Sequence, residues 1–196
     1  MSDLPRVYLV RHGETEWSKS GQHTGRTDIP LTATGEAVAP HIGARLAGVR
    51  FARVLSSPRA RSLRTAELAG FKPETDPDLT EWDYGDYEGL TSQDIRARRP
   101  GWLVFRDGCP NGESVQQIAD RADRAVGRLK AMSGNVLVFS HGHFLRVLAS
   151  RWVGQPVGFA QHLLLGTATL SVLDFDHHSP DEPAIALWND DRHLVG

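Results

Sequence analysis

An α/β fold with a mainly parallel sheet, arranged as a three-layer α/β/α sandwich, is predicted by three observations in this 196-residue chain. Short apolar runs alternate with stretches of helical periodicity, the pattern of α/β proteins. Two of those runs, Val7-Tyr8-Leu9-Val10 and Val136-Leu137-Val138-Phe139, are apolar throughout, as parallel strands covered on both faces are. Each run also ends alike, the first in Arg11-His12-Gly13 and the second in Ser140-His141-Gly142. Ligands of open α/β sheets bind beyond the carboxyl ends of the strands. The echo therefore predicts two imidazoles and a guanidinium gathered at the ligand-binding edge.

The elements follow in order. The first strand is expected at about 6–10, with a Gly/Ser/Thr/Asp-rich loop over 15–30. Val38, Ile42 and Leu46 mark one stripe of a helix starting near Thr32; Pro40 inside it predicts a kink or a late start. Val54-Leu55-Ser56 forms a short strand, and Ser57-Pro58 suits the N-cap and first position of a helix running to about Ala69. Thr91 with Asp94, and Ser114 with Gln117, have the spacing of capping boxes. The first opens a short helix stopped before Pro100. The second opens a long one with Val115, Ile118, Ala122, Ala125, Val126 and Leu129 inward. After the strand at 136–139 comes a helix over about 143–153, closed by Gly154 and Pro156. Runs at 169–175 and 184–187 are strands joined by a polar turn through His177 and His178. No repeat, low-complexity tract or linker interrupts 1–196, so one domain is expected.

Composition narrows the function. Twenty-two Lys and Arg against 24 Asp and Glu give a formal net charge of −2, which argues against a nucleic-acid partner. The start, Met1-Ser2-Asp3-Leu4-Pro5, has neither the basic nor the apolar segment of a secretory leader, and no apolar run reaches membrane-spanning length. A cytoplasmic protein without a membrane partner is expected. Cys109 is the single cysteine and is expected to be a bystander thiol.

Phosphoryl transfer needs an in-line nucleophile, cations around the equatorial oxygens and an acid for the leaving oxygen. A neutral histidine offers a ring lone pair near neutral pH, which makes His12 a candidate nucleophile with Arg11 beside it. Arg59, Arg61 and Arg64 follow the second strand as candidate cations. The acid is open at this level: Glu81, Asp83, Asp86 and Glu88 all lie in one loop-like stretch.

The ordered motifs Arg11-His12-Gly13-Glu14-Thr15-Glu16-Trp17, Gly25-Arg26-Thr27-Asp28-Ile29-Pro30-Leu31-Thr32, Ser57-Pro58-Arg59-Ala60-Arg61 with Arg64-Thr65-Ala66, Glu81 to Gly89, and Ser140-His141-Gly142 resemble those of the histidine phosphatase superfamily, the phosphoglycerate mutase-like proteins. The resemblance implies the phosphoglycerate mutase-like fold and His12 as the phosphorylated nucleophile. It implies Arg11, Arg61 and His141 as the phosphate pocket, and Glu81 as the acid and later the base. The stretches 16–25, 82–89 and 106–114 are similar to the sugar-bisphosphatase branch and to small acid phosphatases. Two departures separate the chain from mutases, which carry Asn at the position of Ser18 and Arg at that of Trp82; their long basic insertion is also absent.

The expected activity is therefore hydrolysis of small phosphomonoesters, sugar phosphates or bisphosphates first, through a phosphohistidine. A cofactor-dependent phosphoglycerate mutase and a non-catalytic phospho-ligand binding module are the alternatives. Substrate contacts are expected from Ser18, Gln22, Thr24, Trp82 and Gly142, with the Trp82 face suited to a sugar ring. Arg106 suits either a second phosphate or a solvated loop, and Glu88 and Glu113 suit structural roles. No cofactor is expected. His141-Gly142-His143 has the form of a metal-binding pair, but arginines in the pocket would repel a cation, so no metal is expected either. The partner is a phosphorylated small molecule, and self-association as a homodimer is allowed.

Overall fold

The structure, a computed structural model, describes residues 4–194; the first three residues of the N-terminal stretch lie outside it. Strands β1 (Arg6–Arg11), β2 (Arg53–Ser56), β3 (Glu74–Thr75), β4 (Asn135–Ser140), β5 (Leu170–Phe175) and β6 (Pro183–Asp190) form one sheet in the order β3-β2-β4-β1-β5-β6. The first four run parallel to one another, whereas β5 runs antiparallel to β1, and β6 to β5. The sheet is thus mainly parallel, as predicted, with an antiparallel edge.

Both faces of the central strands are covered, which explains their unbroken apolar runs. Tyr8, Val10, Leu137 and Phe139 face one side and pack against Ile42 of α2 (Ala33–Arg45) and Ala66 of α3 (Ala60–Leu68). Val7, Leu9, Val136 and Val138 face the other. They meet Ile118, Ala122 and Leu129 of α6 (Val115–Lys130) and Phe144 and Leu148 of α7 (Gly142–Trp152). Short helices α4 (Ser92–Arg98) and α5 (Val104–Asp107) extend that second layer through Ile95, Val104 and Phe105. Each fully buried Val, Leu, Ile or Phe contributes about 1.5–3 kcal/mol relative to exposure, so these two clusters drive the layering.

Both predicted capping boxes are present: Thr91 with Asp94 opens α4, and Ser114 with Gln117 opens α6. Three local expectations are corrected. The 15–30 loop contains a helical turn, α1 (Glu16–Ser20), opened by a capping box between Thr15 and Ser18. The N-cap of α3 is Arg59 rather than Ser57. Finally, Pro40 does not delay α2, which starts at Ala33 and continues past it to Arg45. Its ring deprives the carbonyl of Glu36 of an N–H, but both residues are exposed, so water serves that acceptor. The turn at His177 and His178 is exposed, with φ of 49° and 54°.

Candidate active site

The β1–β4 ladder pairs Arg11 with Ser140, so the residues that follow, His12 and His141, leave the sheet side by side. Their ring centroids are 5.2 Å apart. Gly13 is required by a close crossing, because a Cβ there would lie 2.8 Å from the backbone oxygen of Gly35 in α2.

The two imidazoles hold opposite tautomers. His12 Nδ1 lies 2.7 Å from the carbonyl oxygen of Gly13. A carbonyl only accepts, so Nδ1 carries the proton and Nε2 keeps its lone pair. Burial first, then the charges of Arg61 and Arg11, push the pKa of His12 well below the ordinary histidine value. For His141 the donor is Arg61, whose Nε–H points at Nδ1 from 3.2 Å. Nε2 therefore holds the proton and donates it to Ser57 Oγ, 2.7 Å away. Burial and the same arginines keep this ring neutral as well.

Arg61 is fully buried. Its terminal nitrogens donate to the carbonyls of Thr27 at 3.0 Å, Thr24 at 2.9 Å and Gly25 at 3.2 Å, so it ties α3 to the 24–27 loop from behind His141. Arg11 faces the cleft. Its Nη1 donates to Leu165 O at 2.6 Å, and its buried Nε has no hydrogen-bond partner among the described residues. A Cβ at Gly142 would stand 3.2 Å from the Arg11 guanidinium, a tight contact, so the glycine gives that group room against the start of α7.

Glu81 presents its carboxylate to the N-terminus of α7. Oε1 accepts from Phe144 N at 2.8 Å and Trp82 N at 2.9 Å, and Oε2 accepts from His143 N at 3.0 Å. The otherwise unpaired N–H groups of a helix start suit a carboxylate. None of Asp83, Asp86 or Glu88 lines the cleft. Glu88 instead accepts from the backbone of Gly25 and Thr27.

These groups open onto a cleft of about 240 Å³, walled on one side by Arg11, His12, Glu81 and Gly142 and on another by Ser18, Gln22 and Thr24. Arg61 and His141 lie behind that wall rather than on it. Ser18 exchanges hydrogen bonds with the backbone of Thr15. Gln22 is held at both ends of its amide, donating to Gly89 O at 2.8 Å and accepting from Ser20 Oγ at 2.6 Å. Thr24 Oγ donates to Gln22 O at 3.3 Å.

Trp82 is the one predicted contact the structure removes from the cleft. It is fully buried, its Nε1 donates to Glu113 O, and its ring meets Phe105 edge-on. Successive residues of the 81–83 segment point in different directions, so with Glu81 turned to the cleft Trp82 turns to the core. Arg106 is exposed and paired with Asp107, away from the cleft. Cys109 is buried, and its thiol is pushed up to about 12, by burial first and then by nearby carboxylates.

The rest of the lining was not legible in the sequence. It includes His23, Tyr84, Ser92, His143 and Arg146. The Tyr84 hydroxyl is 2.6 Å from His143 Nδ1, and its ring stacks on His23 at 4.6 Å. Burial, then Arg96, lowers His23 to about 4. Arg146 lies over the Phe105 ring, donates among the described residues to the carbonyls of Ala160 and Gln161 alone, and is lowered by burial to about 10. Its one available signal was helical spacing, three residues after His143 and four after Gly142. Among the described residues no group of three or more His, Cys, Asp or Glu is placed to hold a metal ion, and no helix is long and apolar enough to cross a membrane.

Fold and site together define an enzyme of phosphoester chemistry. Residues 7–191 match the model of the histidine phosphatase superfamily (branch 1), and the chain belongs to that superfamily as a phosphoester hydrolase. It is 47% identical to an acid phosphatase of Mycobacterium tuberculosis, covering 88% of this chain and 87% of the relative. It is 34% identical to sedoheptulose 1,7-bisphosphatase of Saccharomyces cerevisiae (93% and 92% covered). It is 35% identical to a probable phosphoglycerate mutase of Salmonella choleraesuis (87% and 85% covered). The solved structure of an open reading frame product of Mycobacterium tuberculosis superposes with a TM-score of 0.90 at 44% identity, covering 94% of this chain and 97% of that one.

Proposed function

We propose that the chain hydrolyses small phosphomonoesters, sugar phosphates and bisphosphates first, through a phosphate carried on His12 Nε2. The observation that carries this is the state of His12, a neutral ring with Nδ1–H fixed on Gly13 O and its other lone pair beside Arg11. Nε2 attacks phosphorus and the P–O bond to the leaving group breaks. A protonated Glu81 gives its proton to the departing oxygen, and Arg11 balances charge on the equatorial oxygens, with Arg61 and His141 supporting from behind. Water then attacks the phosphohistidine while Glu81 takes its proton. Inorganic phosphate leaves and His12 returns to its neutral form.

Arg146 supports a substrate with a second anionic group, because it is a cation lining the cleft without a carboxylate partner in its hydrogen bonds among the described residues. The relative named a sedoheptulose bisphosphatase points the same way. A glycerate carboxylate would suit Arg146 as well, which keeps the mutase as the second reading. The buried Trp82 no longer decides between the two.

One experiment separates them. Purified enzyme is given sugar bisphosphates, sugar monophosphates, and 3-phosphoglycerate primed with 2,3-bisphosphoglycerate, and phosphate release is followed beside isomerisation. Phosphate release fastest from a bisphosphate, with an alkali-stable, acid-labile phosphoenzyme absent in His12→Ala, is the expected result. Isomerisation outrunning phosphate release would establish the mutase, and turnover retained by His12→Ala would remove the nucleophile assignment.

A further inference from the structure

We infer that the largely buried ion pair of Arg121 and Glu113, outside the cleft lining, is the positioning device for the acid, an inference that rests on Glu81 being that acid. Glu113 sits in the Gly/Pro/Asn-rich loop before α6, and Arg121 lies two turns along the helix. All five guanidinium N–H groups of Arg121 are in use. Nε donates to Glu113 Oε1 at 2.8 Å, and Nη2 to Glu113 Oε2 at 2.7 Å and to Glu81 O at 3.2 Å. Nη1 donates to the carbonyls of Asp78 at 2.8 Å and Thr80 at 2.7 Å. Glu113 holds the other flank, accepting from Asp83 N at 2.9 Å through Oε2 and donating its own N–H to Asp83 O at 2.9 Å. The backbone from 78 to 83 is thus gripped on both sides of Glu81.

Arg121 reaches the carboxylate by a second route. Its guanidinium lies 4.5 Å from the ring centroid of Phe144, the residue whose N–H binds Glu81 Oε1. The same side chain therefore fixes the segment that carries the acid and packs on the helix turn that orients it. A planar, five-donor fork is needed for this, which lysine lacks. The three carbonyl partners of Arg121, those of Asp78, Thr80 and Glu81, all lie on the segment that leads into and carries the acid.

The test uses leaving groups. A phenolate departs without a proton, whereas a sugar alkoxide needs one, so displacement of Glu81 slows alkyl esters selectively. Rates of phosphoenzyme formation are measured by rapid quench with p-nitrophenyl phosphate and with the best alkyl phosphate, for Arg121→Lys, Glu113→Gln, Glu81→Gln and the doubles with Glu81→Gln. Circular dichroism checks the fold, and Glu113→Gln, which keeps shape and one carbonyl acceptor, carries the test should Arg121→Lys not fold. Losses of about 10- to 100-fold on the alkyl ester, with little change on the aryl ester, are expected, the size of a misplacement near 1 Å. In the Glu81→Gln background the second substitution should add nothing. Equal losses on both esters, or full additivity with Glu81→Gln, would overturn the positioning role. An absence of alkyl selectivity in Glu81→Gln itself would instead remove Glu81 as the acid.

Discussion

At the scale of single residues, Ser57 shows how a cap-like residue can belong to the chemistry. It is fully buried, and its oxygen accepts the proton-bearing nitrogen of His141 while Arg61 donates to the other. The ring of His141 is thereby held by two partners with fixed proton positions. Ser57→Ala leaves a buried N–H unsatisfied, which costs about 1–3 kcal/mol, and removes one of the two anchors of the ring. A lower melting temperature together with reduced kcat/KM is expected. A variant unchanged in both would show that Arg61 alone fixes His141. Most residues of the candidate site were legible in the sequence, because strand tips and ordered motifs are local signals. Trp82 was misjudged because sequence adjacency to Glu81 says nothing about which way a side chain turns. Arg121 and Arg146 were missed because their partners lie far along the chain, at 78–81 for one and 160–161 for the other.

At the scale of elements, capping boxes were the most dependable signal, and α1 escaped because Ser18 replaces the usual Glu or Gln at the third position. The His12 loop crosses closely over the start of α2. A Cβ at Gly35 would fall 2.3 Å from the backbone oxygen of Glu14. Helix propensity alone would favour Gly35→Ala by about 1 kcal/mol. Backbone cannot yield as a side-chain tip does, and overpacking of this kind costs about 1–3 kcal/mol or more. The clash wins, so Gly35→Ala is expected to lower the melting temperature by several degrees, at roughly 2–4 °C per kcal/mol for a chain of this size. Turnover should fall too, since Gly13 O, the acceptor for His12, lies in the displaced loop. A melting temperature at or above that of the parent protein would refute this.

At the scale of the whole molecule, the site makes stability depend on pH. His12, His23, His141 and His143 all have pKa values lowered by burial first, His23 to about 4. In the unfolded chain they titrate near 6.5. Below that value the unfolded state takes up protons that the folded state refuses. The stability present above pH 6.5 is therefore lost as pH falls toward the folded values, at up to about 1.4 kcal/mol per pH unit for each histidine. Denaturant midpoints in phosphate-free buffer should drop steadily from pH 7 to pH 5; a flat profile would mean that these rings are charged in the folded protein. Asp190, held low by Arg192 and Arg45, loses its contribution only in stronger acid. The layered fold itself was legible, because two-sided apolar strands and alternating helices are whole-chain patterns. The neighbour relations of the sheet also carry a consequence for the order in which the molecule is made. β1 is threaded between β4 and β5, whose first residues, Asn135 and Leu170, lie far downstream of Arg11. A ribosome that has released only the first half of the chain has released His12 without the strand that brings His141 to it. The growing polypeptide thus carries its proposed nucleophile from the outset, and the site around it is assembled only when the second half has emerged and closed around the first strand.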